Sequence, residues 1–499
     1  MQYTAEQQAI FAAFAGRRSV VIQALAGTGK TTTTAEALSH APELRGGRVL
    51  ALAFNTSAAH DLTRKVPRGV QAKTLHSLGY SMLRAGGLRC QPDGKLTMRE
   101  AVATVQAMGC PRAIERSVAR VVADGVSAAK NRLARREALV DLLVHTGAEV
   151  TAAMTDSGWG VPRLALAVAD CLDTAYRRLE RGAGLTFDDM VWGPLVLDIA
   201  RPLADLVLID EAQDLNRSRF ELAARAAGGR VAVVGDRNQR IYGWNGALPD
   251  ALGLAAERFD AVTLPLTMTW RCGASIVEVA RSVVPEYRAR PGAPAGHVVR
   301  GDVGQAQAGD MVLGRTNASV FSAALSLLRR GRRTAVVGKD IAARLVALIT
   351  GAQTNCGGST DAVRVVGMAV QQAQAEAARA RTDGLERYAD ELSDMAATVA
   401  VIGEGLAHVP DVVARIDQLV GAVADPEAVR CMTVHRSKGA EADGVVLLAD
   451  SLRGDEQGTE EGCVTYVGLS RARHRLVVSG KAPPAVEAAV EVQASRRAA

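Results

Sequence analysis

Three short stretches bring together side chains that can do chemistry. The first, ALAGTGKT (Ala24–Thr31), follows the apolar run SVVIQ at 19–23 and precedes the helical pattern TTTAEALSHA. Strand, glycine loop and helix in that order make a phosphate cradle, because backbone N–H groups freed by Gly27 and Gly29 can wrap phosphates at a helix N-terminus. In such a loop Lys30 reaches the β- and γ-phosphates and the Thr31 hydroxyl ligates magnesium. The strict pattern has Gly where Ala24 stands. The second stretch, DEAQD (Asp210–Asp214), follows LVLI. An acid at a strand's carboxyl end can hold magnesium through water, and the next acid can polarise the attacking water, roles that fit Asp210 and Glu211. Together the two stretches predict nucleoside triphosphate hydrolysis. The third, GDRNQRIYGWNGA (235–247), sets Asp236 and Gln239 just upstream of Tyr242 and Trp244, in a chain only 4% aromatic.

These stretches need elements to hold them. Short apolar runs recur at 19–23, 49–53, 206–209, 231–234 and 262–266, with helical patterns between several of them. A second set follows at 311–314, 334–337, 429–434, 444–448 and 475–479. Such alternation predicts two α/β domains with parallel sheets. Residues 85 to about 200 and about 351 to 428 have helical period and few strand signals, so both read as mainly helical insertions. The final residues, ending VQASRRAA, read as a frayed tail.

Composition narrows the classes. A chain of 499 residues exceeds one core and predicts two to four domains. Hydrophobic content of 48% with 22% charged residues fits a globular protein. No membrane span and no secretion signal are expected from its apolar runs or its N-terminus. Seven scattered cysteines without a CxxC pair argue against zinc or iron–sulfur ligation and fit reduced thiols, hence a cytoplasmic location. A net charge of +6 is compatible with a polyanionic partner.

Taken in order, AGTGKT (26–31), LALAFNTSAA (50–59), TLHS (74–77), DEAQD, GDRNQRIYGWNGA, LTMTWR (266–271), TVHRSKGAE (433–441) and YVGLSRAR (466–473) resemble the motif series of superfamily 1 DNA helicases of the UvrD/Rep type. TFDDMVWGPL (186–195) and DLVLIDEAQDLN (205–216) are most similar to the branch of the F-box DNA helicases and compact phage or bacterial relatives. The resemblance implies two RecA-like P-loop domains: 1–84 with 203–270, and 271–350 with 429–485. Helical insertions would occupy 85–202 and 351–428, and 486–499 would be a disordered tail. It further implies an ATP- and Mg2+-dependent 3′–5′ helicase acting on single-stranded DNA and single-strand/duplex junctions, with ATP hydrolysed between the two domains and a protein partner left open.

Residue by residue, the resemblance assigns Gln7, Ala26, Gly27, Thr28, Gly29, Lys30, Thr31, Thr32, Trp270, Arg271, Glu441 and Arg471 to ATP. Gln7 would read the adenine edge, Trp270 stack on it and Glu441 hold the ribose. Lys30, Asp210, Glu211, Gln239, Arg271 and Arg471 would act in catalysis, and Thr31 and Asp210 would hold Mg2+. Phe54, Thr74, His76, Tyr242, Trp244, Thr433 and His435 stand at DNA-facing positions, where aromatic rings stack on bases at about 1–3 kcal/mol each. Gln239 next to Tyr242 and Trp244 would couple nucleotide state to base grip.

Several positions depart from the family pattern. Asn245 stands where relatives carry Arg, Ser57 where Lys is typical, and Ala440 and Ala442 flank Glu441 in place of Leu and an aromatic. An alternative reading is therefore a DNA-stimulated ATPase switch or motor subunit of a larger complex. Arg112, Arg116 and Arg120 at i, i+4, i+8, with Lys130, Arg132, Arg135 and Arg136 after them, form a candidate stripe for duplex phosphates.

Overall fold

The computed structural model describes residues 3–146, 150, 152–243, 246–382, 386–421 and 425–498. The chain divides into two compact units, 1–24 with 29–266 and 25–28 with 267–499.

The first unit is built on a six-stranded sheet of β1 (Val20–Ala24), β2 (Val49–Ala53), β3 (Val70–Thr74), β4 (Ala204–Ile209), β5 (Ala227–Gly235) and β6 (Val262–Leu266). Its order is β3-β2-β4-β5-β1-β6, and every pairing is parallel. A parallel sheet is covered on both faces, so its inner strands are apolar throughout rather than alternating, as VLALA in β2 shows. Leu50, Leu52, Val207 and Ile209 pack on one face and Ala51, Leu206, Leu208 and Ile22 on the other. Pro265, which has no N–H to donate, falls on the edge strand β6 opposite Gln23.

Between β3 and β4 the described residues form helices from Leu96–Ala107 to Phe187–Val196, with a core of their own around Val118, Val122, Leu164, Val168 and Trp159. Two features of the expected basic stripe change here. The helix after Pro111 begins only at Glu115, so Arg112 lies outside it and the three arginines share no helical face. Lys130 is only 1% exposed: its Nζ sits 2.7 Å from the fully buried Asp189 and lies over the Trp192 ring. Arg178 binds Asp189 from another helix at 2.9 Å and Glu100 at 2.6 Å. A cation this deep needs a carboxylate, which removes Lys130 from any phosphate-tracking role.

The second unit has a sheet of β9 (His297–Gly301), β10 (Met311–Gly314), β11 (Thr334–Val336), β12 (Val429–Thr433), β13 (Ala442–Leu448) and β14 (Ala472–Ser479), with β7 (Met268–Thr269) and β8 (Arg288–Ala289) pairing separately. The six-stranded order is β11-β12-β10-β13-β14-β9, again all parallel. Helices Lys339–Asn355, Ala362–Thr382, Glu386–Gly403 and Val409–Gly421 are inserted between β11 and β12. Their apolar faces share one core with a face of this sheet through Val312, Leu345, Val399, Ile416 and Val446. Two parallel sheets with helical insertions match the α/β class expected from the strand pattern. The tail does not match its expectation: Pro484–Ala498 is a helix with Val486 and Val490 buried. Among the described residues no helix is long and apolar enough to cross a membrane.

Candidate functional site

In an open parallel sheet, loops at the carboxyl ends of the strands are where ligands bind. In the first unit β1 leads into the glycine loop, β2 into Phe54, β4 into Asp210 and β5 into Asp236, while Thr74 ends β3. These positions therefore share one edge.

Gly29 caps the Lys30–Ser39 helix in left-handed backbone at φ 76°, which turns the loop so that the helix N–H groups open onto it. Lys30 Nζ stands 3.9 Å from Glu211 Oε2. Thr31 is half-buried and Thr32 exposed on the first turn. Burial, with the Glu211 charge adding to it, raises Asp210 to about 6 against the pull of Lys30. Adjacent hard carboxylates with a hydroxyl on the facing helix suit a divalent cation whose remaining ligands are phosphate and water. Among the described residues no group of three or more His, Cys, Asp or Glu side chains forms a metal cluster.

From Glu211 a chain of hydrogen bonds runs through two residues not assigned from sequence. Gln213 donates its Nε2 to Glu211 at 2.5 Å, and its Oε1 accepts the Asp236 N–H at 3.0 Å. Asp236 in turn accepts from Gln239 Nε2 at 2.7 Å. All three middle and distal members are buried. Burial raises Asp236 while Lys30 opposes the rise. Gln213 lies inside DEAQD and Asp236 inside GDRNQ, so each sat within a recognised motif. What the sequence lacked was their pairing across two strands.

Gln7 makes a capping box with Thr4 and donates Nε2 to Thr33 at 3.0 Å, so both ends of its amide are engaged within the unit. Thr74 caps the Leu75–Ala85 helix by accepting the Ser77 N–H. Arg219 lies 4.9 Å over the half-buried Phe54 ring. Burial, helped by Arg219, lowers His76 to about 4, so its imidazole is neutral at physiological pH. Tyr242 is half-buried. Trp244 and Asn245 lie outside the described residues.

The second unit includes residues 25–28 and holds them tightly. Ala26 donates its N–H to Tyr466 Oη at 2.9 Å and accepts from Tyr287 Oη at 3.0 Å. The two buried rings meet edge to face. Trp270 N–H donates to the Gly27 carbonyl at 2.8 Å, and Thr28 Oγ1 to Leu25 O. Gly27 has φ 66°, and a Cβ there would lie 2.6 Å from both Arg271 Cβ and Thr269 Oγ1, so only glycine fits. Tyr466, which opens YVGLSRAR, was readable as part of that motif but not as the clamp on Ala26.

Trp270 is 50% exposed with Arg290 over its ring. Arg271 binds the Glu441 carboxylate and donates to Ser470 O at 3.0 Å. Arg473 holds the same carboxylate. Burial works against the charge on Glu441, but Arg473 and Arg271 keep its pKa below the usual range. In this structure Glu441 thus positions guanidinium groups. Arg471 is buried and donates to the Val467, Ala440 and Ser470 oxygens. Burial, followed by repulsion from Arg271, lowers it to about 10. Thr433 and His435 are half-buried at the carboxyl end of β12.

Comparison with known proteins agrees with this architecture. The UvrD/REP helicase N-terminal domain matches residues 3–260, and the UvrD-like helicase C-terminal domain matches 428–479. The chain is 26% identical to the ATP-dependent DNA helicase UvrD1 of Mycobacterium leprae over 307 residues, covering 53% of this chain and 37% of that one. It thus spans well under half the length of that relative. It is also 26% identical to the ATP-dependent DNA helicase UvrD2 of Mycobacterium tuberculosis over 557 aligned positions, covering 94% and 77%. Identity to the ATP-dependent DNA helicase PcrA of Leuconostoc citreum is 23% over 291 residues. With a phosphate loop, paired carboxylates and two parallel sheets, and with the N-terminal domain matched across more than half its length, the chain belongs to the UvrD/REP helicase family.

Proposed function

We propose that this chain is an ATP-dependent motor that moves 3′ to 5′ along single-stranded DNA and separates strands at single-strand/duplex junctions. The polarity rests on family resemblance. The observation that carries the reading is the chain Glu211–Gln213–Asp236–Gln239, which runs from the phosphate-side carboxylate into the segment bearing Tyr242. A change at the γ-phosphate felt by Gln239 would be transmitted to that segment and to the strand it grips.

In this reading the glycine loop and Lys30 orient the triphosphate, and Glu211 positions and deprotonates the attacking water. Thr31 and Asp210 (through water) would hold magnesium, which neutralises phosphate charge when bound. Arg271 and Arg471 repel each other, and a γ-phosphate near them would relieve that repulsion while they stabilise its transition-state charge. Trp270 would stack on adenine. Phe54, Thr74, His76, Tyr242, Thr433 and His435 would face the strand. The segments 1–84 with 203–270 and 271–350 with 429–485 would be the two motor domains, carrying insertions 85–202 and 351–428.

The deciding experiment is steady-state ATP hydrolysis with and without single-stranded DNA, with Lys30→Ala as control. The expected result is strong stimulation by DNA that the variant loses. Hydrolysis indifferent to DNA would remove the coupling. The substitution of Asn245 for Arg favours a second reading, a DNA-stimulated switch with little unwinding of its own. A 3′-tailed duplex that stays intact under full ATP turnover would decide for it.

A further inference from the structure

Two arginines of the first unit are half-buried without the carboxylates that hold its other buried cations, Lys130, Arg178 and Arg230. Lys130, Arg178 and Arg230 are each closed onto Asp or Glu at 2.6–2.9 Å. Arg219 instead lies over the Phe54 ring, and Asp188 and Asp214 act on it only through their field. Arg132 ends the Glu115–Arg132 helix and packs on Gly246: a methyl group there would sit 3.1 Å from its Nη1 and 3.2 Å from its Cζ. Among the described residues neither guanidinium makes a hydrogen bond or an ion pair. Burial pulls both below their usual range. A partly desolvated, unpaired guanidinium is costly unless an anion completes it.

The helices that carry both arginines meet at one junction. Asn216 caps the Arg217–Ala226 helix by accepting the Arg219 N–H at 2.9 Å. Its Nδ2 donates to Asn131, the neighbour of Arg132, at 2.8 Å. Its backbone bridges to Ala247, and Leu248 N–H donates to Leu215 O. The residue after DEAQDL thereby ties together the Arg219 helix, the Arg132 helix and the segment Gly246–Leu248.

We propose that Arg219 and Arg132 are phosphodiester contacts of the single-stranded DNA track, Arg219 beside Phe54 and Arg132 beside Gly246. This rests on the DNA-motor reading above. The planar fork of each guanidinium matches a phosphate, and each borders a residue of a DNA-facing segment. Arg132 also brings a positive charge from the helical insertion to the loop in which Asn245 replaces the family's arginine.

The test is binding of a fluorescent oligothymidylate by the full chain, followed by anisotropy over a range of salt. Each phosphate contact on a single strand contributes a slope of about 0.7 in log K against log salt. Arg219→Gln and Arg132→Gln should each flatten the slope by about 0.7, and the double variant by about 1.4. Arg132→Lys should keep the slope. Arg225→Gln, on the same helix as Arg219 but paired with Asp198, should leave it unchanged. Weaker binding at wild-type slope would make the arginines structural and overturn the proposal, as would no change at all. If Arg219→Gln loses its cooperative melt, Arg219→Met, which keeps the apolar stem but not the charge, replaces it: it should flatten the slope by about 0.7, and a wild-type slope would overturn the assignment. A wild-type chain that does not bind the oligonucleotide at low salt overturns the DNA-motor reading itself, whereas wild-type binding with unaltered variants overturns only this inference.

Discussion

Glu211 stands in left-handed backbone at φ 52°, one of four non-glycine residues with positive φ among those described. Such backbone costs about 1–3 kcal/mol and persists where the surroundings fix it. Here Gln213 holds the carboxylate and Lys30 faces it, so the strained backbone fixes the Glu211 carboxylate beside Lys30, where the proposed base is needed. His76 shows a different balance, with a measurable consequence. Its ordinary pKa of 6.5 falls to about 4 through burial and the Arg219 charge. Between those values the unfolded chain binds a proton that the folded protein refuses. Stability therefore falls as pH falls through this window, by at most roughly 3 kcal/mol from this group. His76→Asn carries no such proton, so urea melts at about pH 7.5 and about pH 4.5 should differ less for it than for the wild type. An equal difference in both proteins would mean that folded His76 protonates freely. His76 itself was legible in TLHS; its neutrality was not, because burial by the folded chain sets it, with an arginine over a hundred residues away in sequence adding to it.

At the scale of elements, apolar runs bounded by Gly, Asp or Asn marked most strands, because strands of a covered parallel sheet have no polar face to alternate with. What the pattern missed was set by distant partners. Lys130 looks like one more surface cation until Asp189 closes on it. The tail looks frayed because its N-terminal cap lies elsewhere in the chain: Asp455 accepts the N–H groups of Ala485 and Val486. Glu487 binds Arg300 and accepts the Ala482 N–H, fixing the same turn. Removing residues 484–499 should forfeit the burial of Val486 and Val490, which stabilise by about 1.5–3 kcal/mol each when buried, and bare the surface they cover. A clearly lower urea midpoint is expected, and Asp455→Ala should lose about 1 kcal/mol by removing the cap alone. A truncated chain melting like the full one would show that the helix contributes nothing to the fold.

For the molecule as a whole, the residues proposed for ATP chemistry are divided between two independently cored units. Lys30, Asp210, Glu211 and Gln239 belong to the first, Arg271 and Arg471 to the second. This division separates two tasks that a single cradle would merge. Phosphate binding by the loop and its lysine can persist without the arginines, while stabilising charge on the transferring phosphoryl group cannot. Arg271→Ala and Arg471→Ala should therefore lower kcat by on the order of a thousandfold while leaving fluorescent-nucleotide affinity within roughly tenfold. Loss of Arg271 also frees Glu441 and exposes it to Arg473 alone, so Arg271→Lys is the needed companion: it restores the ion pair but not the fork. If Arg271→Lys recovers turnover to near wild type, charge on Glu441 rather than a phosphate-directed fork is what Arg271 supplies. If it stays as slow as Arg271→Ala with nucleotide still bound, the second unit takes part in the chemistry, and hydrolysis requires both halves of the chain.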